Sequence, residues 1–252
     1  MSLELKNVHS YYGRSHILHG VSMKAEPGKV TCLLGRNGMG KTTTLLSMMG
    51  VVKPAEGDVI LDGTSVAGKK PHEIAHMGMT LVPEGRWVFG SMSVGDNLRL
   101  AAIASPRAES TDISEVLKLF PDIEPRTNQK GGSLSGGEQQ MLVIARALIT
   151  NPSVVLLDEP SQGLAPMYVR RVGQYISDLR DKGMTFVLVE QNVNMALSVA
   201  DYVYLMSHGE IVFEGTPAQL SEDPSILREH LAVEHRSGVS PASENPEEGK
   251  EE

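Results

Sequence analysis

The chain has 252 residues, of which 40% are hydrophobic, 21% charged and only 4% aromatic, with a formal net charge of −8. That is the size and composition of one globular unit with a subdomain, long enough to bury roughly 70–75% of its unfolded surface. The balance argues against a basic nucleic-acid footprint with stacking rings, and the single cysteine, Cys32, excludes an internal disulfide and a multi-thiolate metal site.

Apolar runs such as Val154 to Leu157 fall far short of the ~18 residues needed to span a bilayer. No secretory signal opens the chain, so a reducing, cytoplasmic setting is expected. In chain order, short strands are predicted at Leu3 to Val8, Val30 to Leu34 and Val59 to Leu61, the last followed by an Asp62-Gly63 hairpin turn. The apolar strand Val30 to Leu34 ends in glycine, and Lys41 to Met49 has helix-compatible composition, so the order there is strand, tight loop, helix. From about Ser93 to Leu148 only helical patterning occurs, at Val94 to Ala104, Ile113 to Phe120 and Gly137 to Leu148. Strands return at Val154 to Leu157 and Thr185 to Val189, separated by a helix opening at Pro166. Tyr202 to Met206 and Ile211 to Glu214 flank a His208-Gly209 turn. Thr216-Pro217-Ala218-Gln219 has the form of a capping box that starts a terminal helix. From Ser237 on, Ser, Pro, Glu and Gly predict an acidic, disordered tail. Alternating strands and helices argue for an α/β fold with a parallel sheet and crossover helices.

Gly35-Arg36-Asn37-Gly38-Met39-Gly40-Lys41-Thr42 fits the phosphate-binding pattern G-x-x-x-x-G-K-[ST], in the strand-loop-helix context that the pattern requires. Glycines let successive backbone N–H groups turn inward onto phosphate oxygens, and the helix start adds partial positive charge. Lys41 is expected to reach the β- and γ-phosphates, with Thr42 as a Mg²⁺ ligand and Thr43 beside it. Val154 to Leu157 then delivers Asp158 and Glu159 to the ligand-binding edge of the sheet. Asp158 suits Mg²⁺, and Glu159 suits orienting or deprotonating an attacking water. Leu134-Ser135-Gly136-Gly137-Glu138 by itself reads only as a loop leading into a helix N-terminus.

In chain order the phosphate loop, Leu134 to Glu138, and the strand ending in Asp158-Glu159 together resemble the three motifs of ABC-transporter ATPases, and the resemblance extends over residues 3 to 235. It implies an α/β P-loop NTPase core with a mixed, largely parallel sheet and an N-terminal antiparallel β subdomain. It also implies an α-helical subdomain inserted at about 88–150, the whole unit spanning 1–236 and the tail 237–252. In that family two ATPase domains sandwich two ATPs. By this likeness Ser135, Gly136 and Gly137 would contact a nucleotide held by a partner's P-loop, and Tyr12 would stack on adenine, with Tyr11 as an adjacent competitor.

Two positions depart from the family's commonest pattern. Glu84, in Val82-Pro-Glu-Gly-Arg86, stands where a Mg²⁺-sensing glutamine is usual, and Gln191, in Val189-Glu-Gln-Asn192, stands where a histidine is usual. Gln191 can position the reacting groups but cannot supply charge. These stretches, with Gly163-Leu-Ala-Pro166, resemble the smaller ATPase subunit of high-affinity branched-chain amino acid importers. The implied ligands are ATP and Mg²⁺. The implied partners are a second, homologous ATPase subunit (a homodimer being the alternative), two transmembrane permease subunits and, indirectly, an extracytoplasmic solute-binding protein, with no nucleic acid. The implied location is the cytoplasmic face of the plasma membrane. An importer of urea, amides or aromatic acids, or a soluble ABC ATPase, is the alternative reading. Trp87 and Phe89 are either subdomain core or an exposed contact for a membrane partner, and Arg86 is expected to pair with a nearby acid.

Overall fold

In the segment Val30–Leu34 all five residues are buried, which in a strand means that both faces are covered. The computed structural model, which describes residues 1–231, makes this segment β3 of a six-stranded sheet. The element order is β1 (Leu3–Tyr12), β2 (Ser15–Ala25), β3, α1 (Lys41–Met48), β4 (Glu56–Leu61), β5 (Thr64–Ser65), α2 (Pro71–His76) and β6 (Met79–Val82). Helices α3 (Val94–Ala104), α4 (Ile113–Lys118) and α5 (Gly136–Ile149) follow, joined by short 3-10 turns. Then come β7 (Val154–Asp158), α6 (Pro166–Asp181), β8 (Thr185–Glu190), α7 (Val193–Val199), β9 (Tyr202–Ser207), β10 (Glu210–Gly215), α8 (Pro217–Glu222) and α9 (Pro224–His230). The expected tail at 237–252, and the last residues of the expected 1–236 unit, lie outside the described residues.

The six-stranded sheet has the order β10-β9-β3-β8-β7-β6, parallel throughout except for β10. A second, antiparallel sheet has the order β2-β1-β4-β5. Strand periodicity divides the core in two. Cys32, Leu34, Val155, Leu157 and Leu188 face a cluster built with α5 and α6. Leu33, Leu156, Val187 and Val189 face the antiparallel sheet and α1. Residues between β6 and β7 form only helices and turns, apart from one isolated bridge between Ser93 and Lys130. Phe120, Leu142 and Ile144 of that helical stretch belong to the same cluster as Val155 and Leu157, so it packs continuously with the sheet.

Four elements go beyond the sequence reading: β2, α2, β6 and α7. In β2 the register shifts near Gly20, so the inward residues Leu18 and Val21 are three apart and the period of two is lost. β6 is a four-residue edge strand whose composition has no alternation to read. Likewise β1 continues past Val8 to Tyr12 after a bulge between Leu5 and Val8. The terminal helix does begin with a capping box at Thr216, but it stops at Glu222, and Asp223 caps a separate α9.

Four parallel neighbours, β3, β8, β7 and β6, run their carboxyl ends to one edge. Leu34 pairs with Glu190, Asp158 with Val189, and Val82 with Leu157. Loops leaving this edge therefore lie side by side, which is where open α/β sheets bind ligands.

Candidate functional site

The loop from Gly35 to Gly40 joins β3 to α1 through a path that side chains would block. Gly40, the N-cap of α1, has φ 106°, and a Cβ there would come within 2.9 Å of Leu18 Cδ2. At Gly35 a Cβ would stand 2.7 Å from the Met206 carbonyl oxygen. Glycine at these positions brings the backbone close to the strand edge and aims the start of α1 at whatever binds there. Met39 turns away from the cleft: its sulfur accepts from the backbone N–H of His208 at 3.2 Å, and its carbonyl accepts from Gly209 at 3.0 Å.

Lys41 is buried, and its ammonium donates to the Arg36 carbonyl at 3.1 Å and pairs with Glu159 Oε1 at 2.9 Å. One residue on, the Thr42 hydroxyl donates to Asp158 Oδ1 at 3.3 Å, across 116 residues of sequence. Burial pushes the Asp158 carboxyl up from its ordinary 3.8 to about 6. The Thr42 hydroxyl opposes that shift, and the neighbouring Glu159 and Glu84 carboxylates add to it. Glu159 sits in the left-handed region at φ 45°, unusual for a non-glycine residue, with its N–H held by the Val189 carbonyl at 2.9 Å.

A cleft of about 350 Å³ is lined by Tyr12, Asn37, Gly38, Gly40, Lys41, Thr42, Thr43, Glu84 and Glu159. Tyr12 is half exposed at its mouth, whereas the ring of Tyr11 stacks on His16 at 4.1 Å. This donor set fits a phosphate chain with a hard cation. Thr42 Oγ1 and Asp158 Oδ1, 3.3 Å apart, are the two hard oxygen donors beside it that would suit Mg²⁺. A larger cleft, about 770 Å³ between α6 and α7, is lined by none of Gly35 to Thr42, Asp158 or Glu159.

Ser135, Gly136 and Gly137 lie outside this cleft. Ser135 is the N-cap of α5 in a reciprocal capping box with Glu138, whose other carboxylate oxygen pairs with Arg126 at 2.9 Å. Gly137 is buried beneath the ring of Tyr168, where a Cβ would fall inside the ring. The Tyr168 hydroxyl is 3.4 Å from Ser135 Oγ. Gln191 also lies outside the lining residues and is exposed, one position past β8.

Sequence reasoning passed over Glu190. Its carboxylate is buried and accepts from the backbone N–H of Ser161 at 2.9 Å and of Asn192 at 3.1 Å, tying the segment after Glu159 to the one that carries Gln191. Burial raises its pKa above the ordinary carboxylate value against those hydrogen bonds. Arg86 does not pair with an acid as expected: it donates to the carbonyls of Gln162 at 2.8 Å and Gly163 at 2.9 Å. Carbonyls left by the tight turn around Gly163 are the nearer acceptors, a pairing that sequence spacing cannot reveal. Trp87 and Phe89 prove exposed, at 69% and 46%, beside a groove of about 340 Å³ shared with α3 and α5. Asn97 fixes the loop behind them, exchanging hydrogen bonds with the Phe89 backbone at 2.9 and 3.1 Å.

A family model described as ABC transporter matches residues 18–162. Over 230 residues the chain is 39% identical to the high-affinity branched-chain amino acid transport ATP-binding protein BraG of Pseudomonas aeruginosa, covering 91% of this chain and 99% of that one. Over 239 residues it is 33% identical to the lipopolysaccharide export system ATP-binding protein LptB of Escherichia coli K12, covering 93% and 99%. Its fold matches a solved nucleotide-free ATP-binding cassette from an ABC transporter with TM-score 0.80 at 28% identity, over 90% of this chain and 98% of that chain. An ATP-binding cassette in its ADP conformation matches with TM-score 0.80 at 30% identity, over the same shares.

Proposed function

This chain belongs to the ABC transporter family as an ATP-hydrolysing subunit, and on that premise we propose that it drives uptake of branched-chain amino acids. The observation that carries the chemistry is the buried Lys41–Glu159 pair at the edge that also presents Thr42 and Asp158. Lys41 and the loop amides would bind the phosphate chain of ATP, and Tyr12 would stack on the base. Glu159 would accept the proton of the attacking water, with Gln191 positioning the reacting groups. Thr42, Asp158 and Glu84 are the residues that would hold Mg²⁺, which would offset the charge of the phosphates.

Ser135, Gly136 and Gly137 do not line this chain's own cleft, which supports a reading in which they complete the site of a second ATPase subunit, a homologue or another copy. The groove beside Trp87 and Phe89 supports docking of transmembrane subunits. It exposes two aromatic rings, and it contains Arg146, whose Nη2 donates to the Trp87 carbonyl at 2.6 Å while Nη1 is buried without a hydrogen-bond partner. No helix among the described residues is long and apolar enough to cross a membrane; in this reading separate permease subunits supply the channel and the chain sits on their cytoplasmic face. An extracytoplasmic solute-binding protein would then select the solute.

Likeness to the lipopolysaccharide export protein favours a second reading, in which the same ATPase powers export. Reconstitution of the chain with its membrane subunits in vesicles separates the two. ATP-dependent movement of labelled leucine towards the ATPase side, competed by isoleucine and valine, is expected. Hydrolysis insensitive to these amino acids, but stimulated by a lipid-linked glycan, would reject the import reading.

A further inference from the structure

Arg86 touches three segments that are far apart in sequence. Its own loop carries Glu84 two residues earlier. Its Nη2 donates to the Gln162 and Gly163 carbonyls in the loop after Glu159. Its Nη1 lies against Gly136, so closely that a Cβ on that glycine would overlap the guanidinium. The backbone is held in an uncommon shape to achieve this: Arg86 has φ 51°, next to Gly85 at 96°, and Gly163 has φ 60°. The strain at Arg86 persists where surrounding structure enforces it, and such strain clusters at functional sites. The charge is also placed against preference, since a cation at a helix N-terminus meets the positive end of the backbone dipole. Nη2 alone donates to both carbonyls while the coplanar Nη1 lies against Gly136, a planar two-nitrogen reach that the single ammonium of lysine lacks.

We infer that Arg86 is a positioning residue that holds the N-terminal turn of α5 in register with the loop after Glu159. This rests on the reading of α5 as the half-site offered to a partner's nucleotide. The half-buried ring of Tyr168, from the start of α6, supports the same junction by packing on Gly137. Arg86 reaches both sides of the junction from the loop that contains Glu84, so movement of that loop shifts the half-site. It is absent from the lining of the 350 Å³ cleft, so its effect on this chain's own nucleotide is indirect.

The test compares Arg86→Ala and Arg86→Lys with the wild type in two settings. In the isolated chain, hydrogen exchange should accelerate about tenfold at the Glu138, Gln162 and Leu164 amides and stay unchanged in β7 and β8. Affinity for a fluorescent ATP analogue should stay within about twofold, because Lys41, Thr42 and Tyr12 are untouched. In the assembled transporter, Arg86→Ala should lower kcat about tenfold with KM for ATP little changed, and Arg86→Lys should recover only part of it. Unaltered exchange and kcat would overturn the inference, and so would a kcat loss matched by lost nucleotide affinity in the isolated chain. If Arg86→Ala fails to fold, Arg86→Gln, which keeps one amide donor, carries the same comparison. A wild-type assembly that hydrolyses no ATP would refute the functional reading itself, a result separate from any effect of Arg86.

Discussion

The cleft at the end of β3 and the N-terminal turn of α5 are the two places to which the proposed function assigns phosphate, and they are built in opposite ways. At the cleft the chemistry is side-chain charge, held buried and paired: Lys41 with Glu159, and Thr42 with Asp158. At α5 it is the helix start itself, with Ser135 exposed and Gly137 covered by Tyr168. A buried ion pair keeps its value only while both partners are present. A helix N-terminus, by contrast, depends on how neighbouring side chains hold it. Substitutions at the cleft should therefore act on chemistry and charge, and substitutions at α5 on geometry.

The largest effect should come from Glu159→Gln. The amide can still accept from Lys41 but cannot take a proton, so hydrolysis is expected to fall roughly 10²–10⁴-fold while ATP binding persists, as single-turnover and equilibrium binding measurements would show. A variant that hydrolyses normally would remove Glu159 from the chemistry. At the other region, Gly137→Ala drives a methyl into the Tyr168 ring, and overpacking of this kind costs about 1–3 kcal/mol. Chemical denaturation should report that loss. The isolated chain should still bind nucleotide normally, while the assembled transporter hydrolyses it more slowly. Loss of binding in the isolated chain would break the contrast between the two regions.

Asp158→Asn sharpens it further. The wild-type carboxyl is raised to about 6, so a folded chain free of Mg²⁺ and nucleotide bears the cost of ionising Asp158 as pH rises through that value. The contribution is favourable to folding below the ordinary 3.8 and is lost by about pH 6 and above. Asparagine carries no such cost. The variant should thus be more stable than wild type by about 3 kcal/mol at pH 8, with the difference vanishing towards pH 4, while losing Mg²⁺-dependent nucleotide affinity. Equal melting temperatures at pH 8 would show that Asp158 is better solvated than its burial implies. The smallest effect on the fold should follow Trp87→Ala and Phe89→Ala. Both side chains are exposed, so stability should stay within about 0.5 kcal/mol and ATP hydrolysis should continue, but transport per ATP should drop. Unchanged uptake in both variants would remove this groove from the coupling surface.

Much of this was legible in the sequence, for identifiable reasons. Gly35 to Thr42 is contiguous, and its backbone path depends on glycines that any reader can see. The helices over 94–149 kept their apolar period, and the strands β3, β7 and β8 their apolar runs. β2 was hidden because a bulge at Gly20 broke its alternation, and β6 because four residues at an edge carry too little pattern. Glu190 was quoted in a motif but not assigned a role, since only folding turns its carboxylate onto the Ser161 and Asn192 amides.

The sequence by itself determined the local chemistry: a phosphate loop, a carboxylate pair at a strand end, a capped helix start, and the family to which they belong. Each of these resides in a few neighbouring residues whose backbone conformations and side chains act together. Tertiary structure alone decided which of those groups meet. The order β3-β8-β7-β6 sets Lys41 on Glu159 and Thr42 on Asp158, and it brings Arg86 to the carbonyls of Gln162 and Gly163 beside Gly136. Crossover connections make that order, and no local period encodes it, because parallel strands pair with segments far away in the chain.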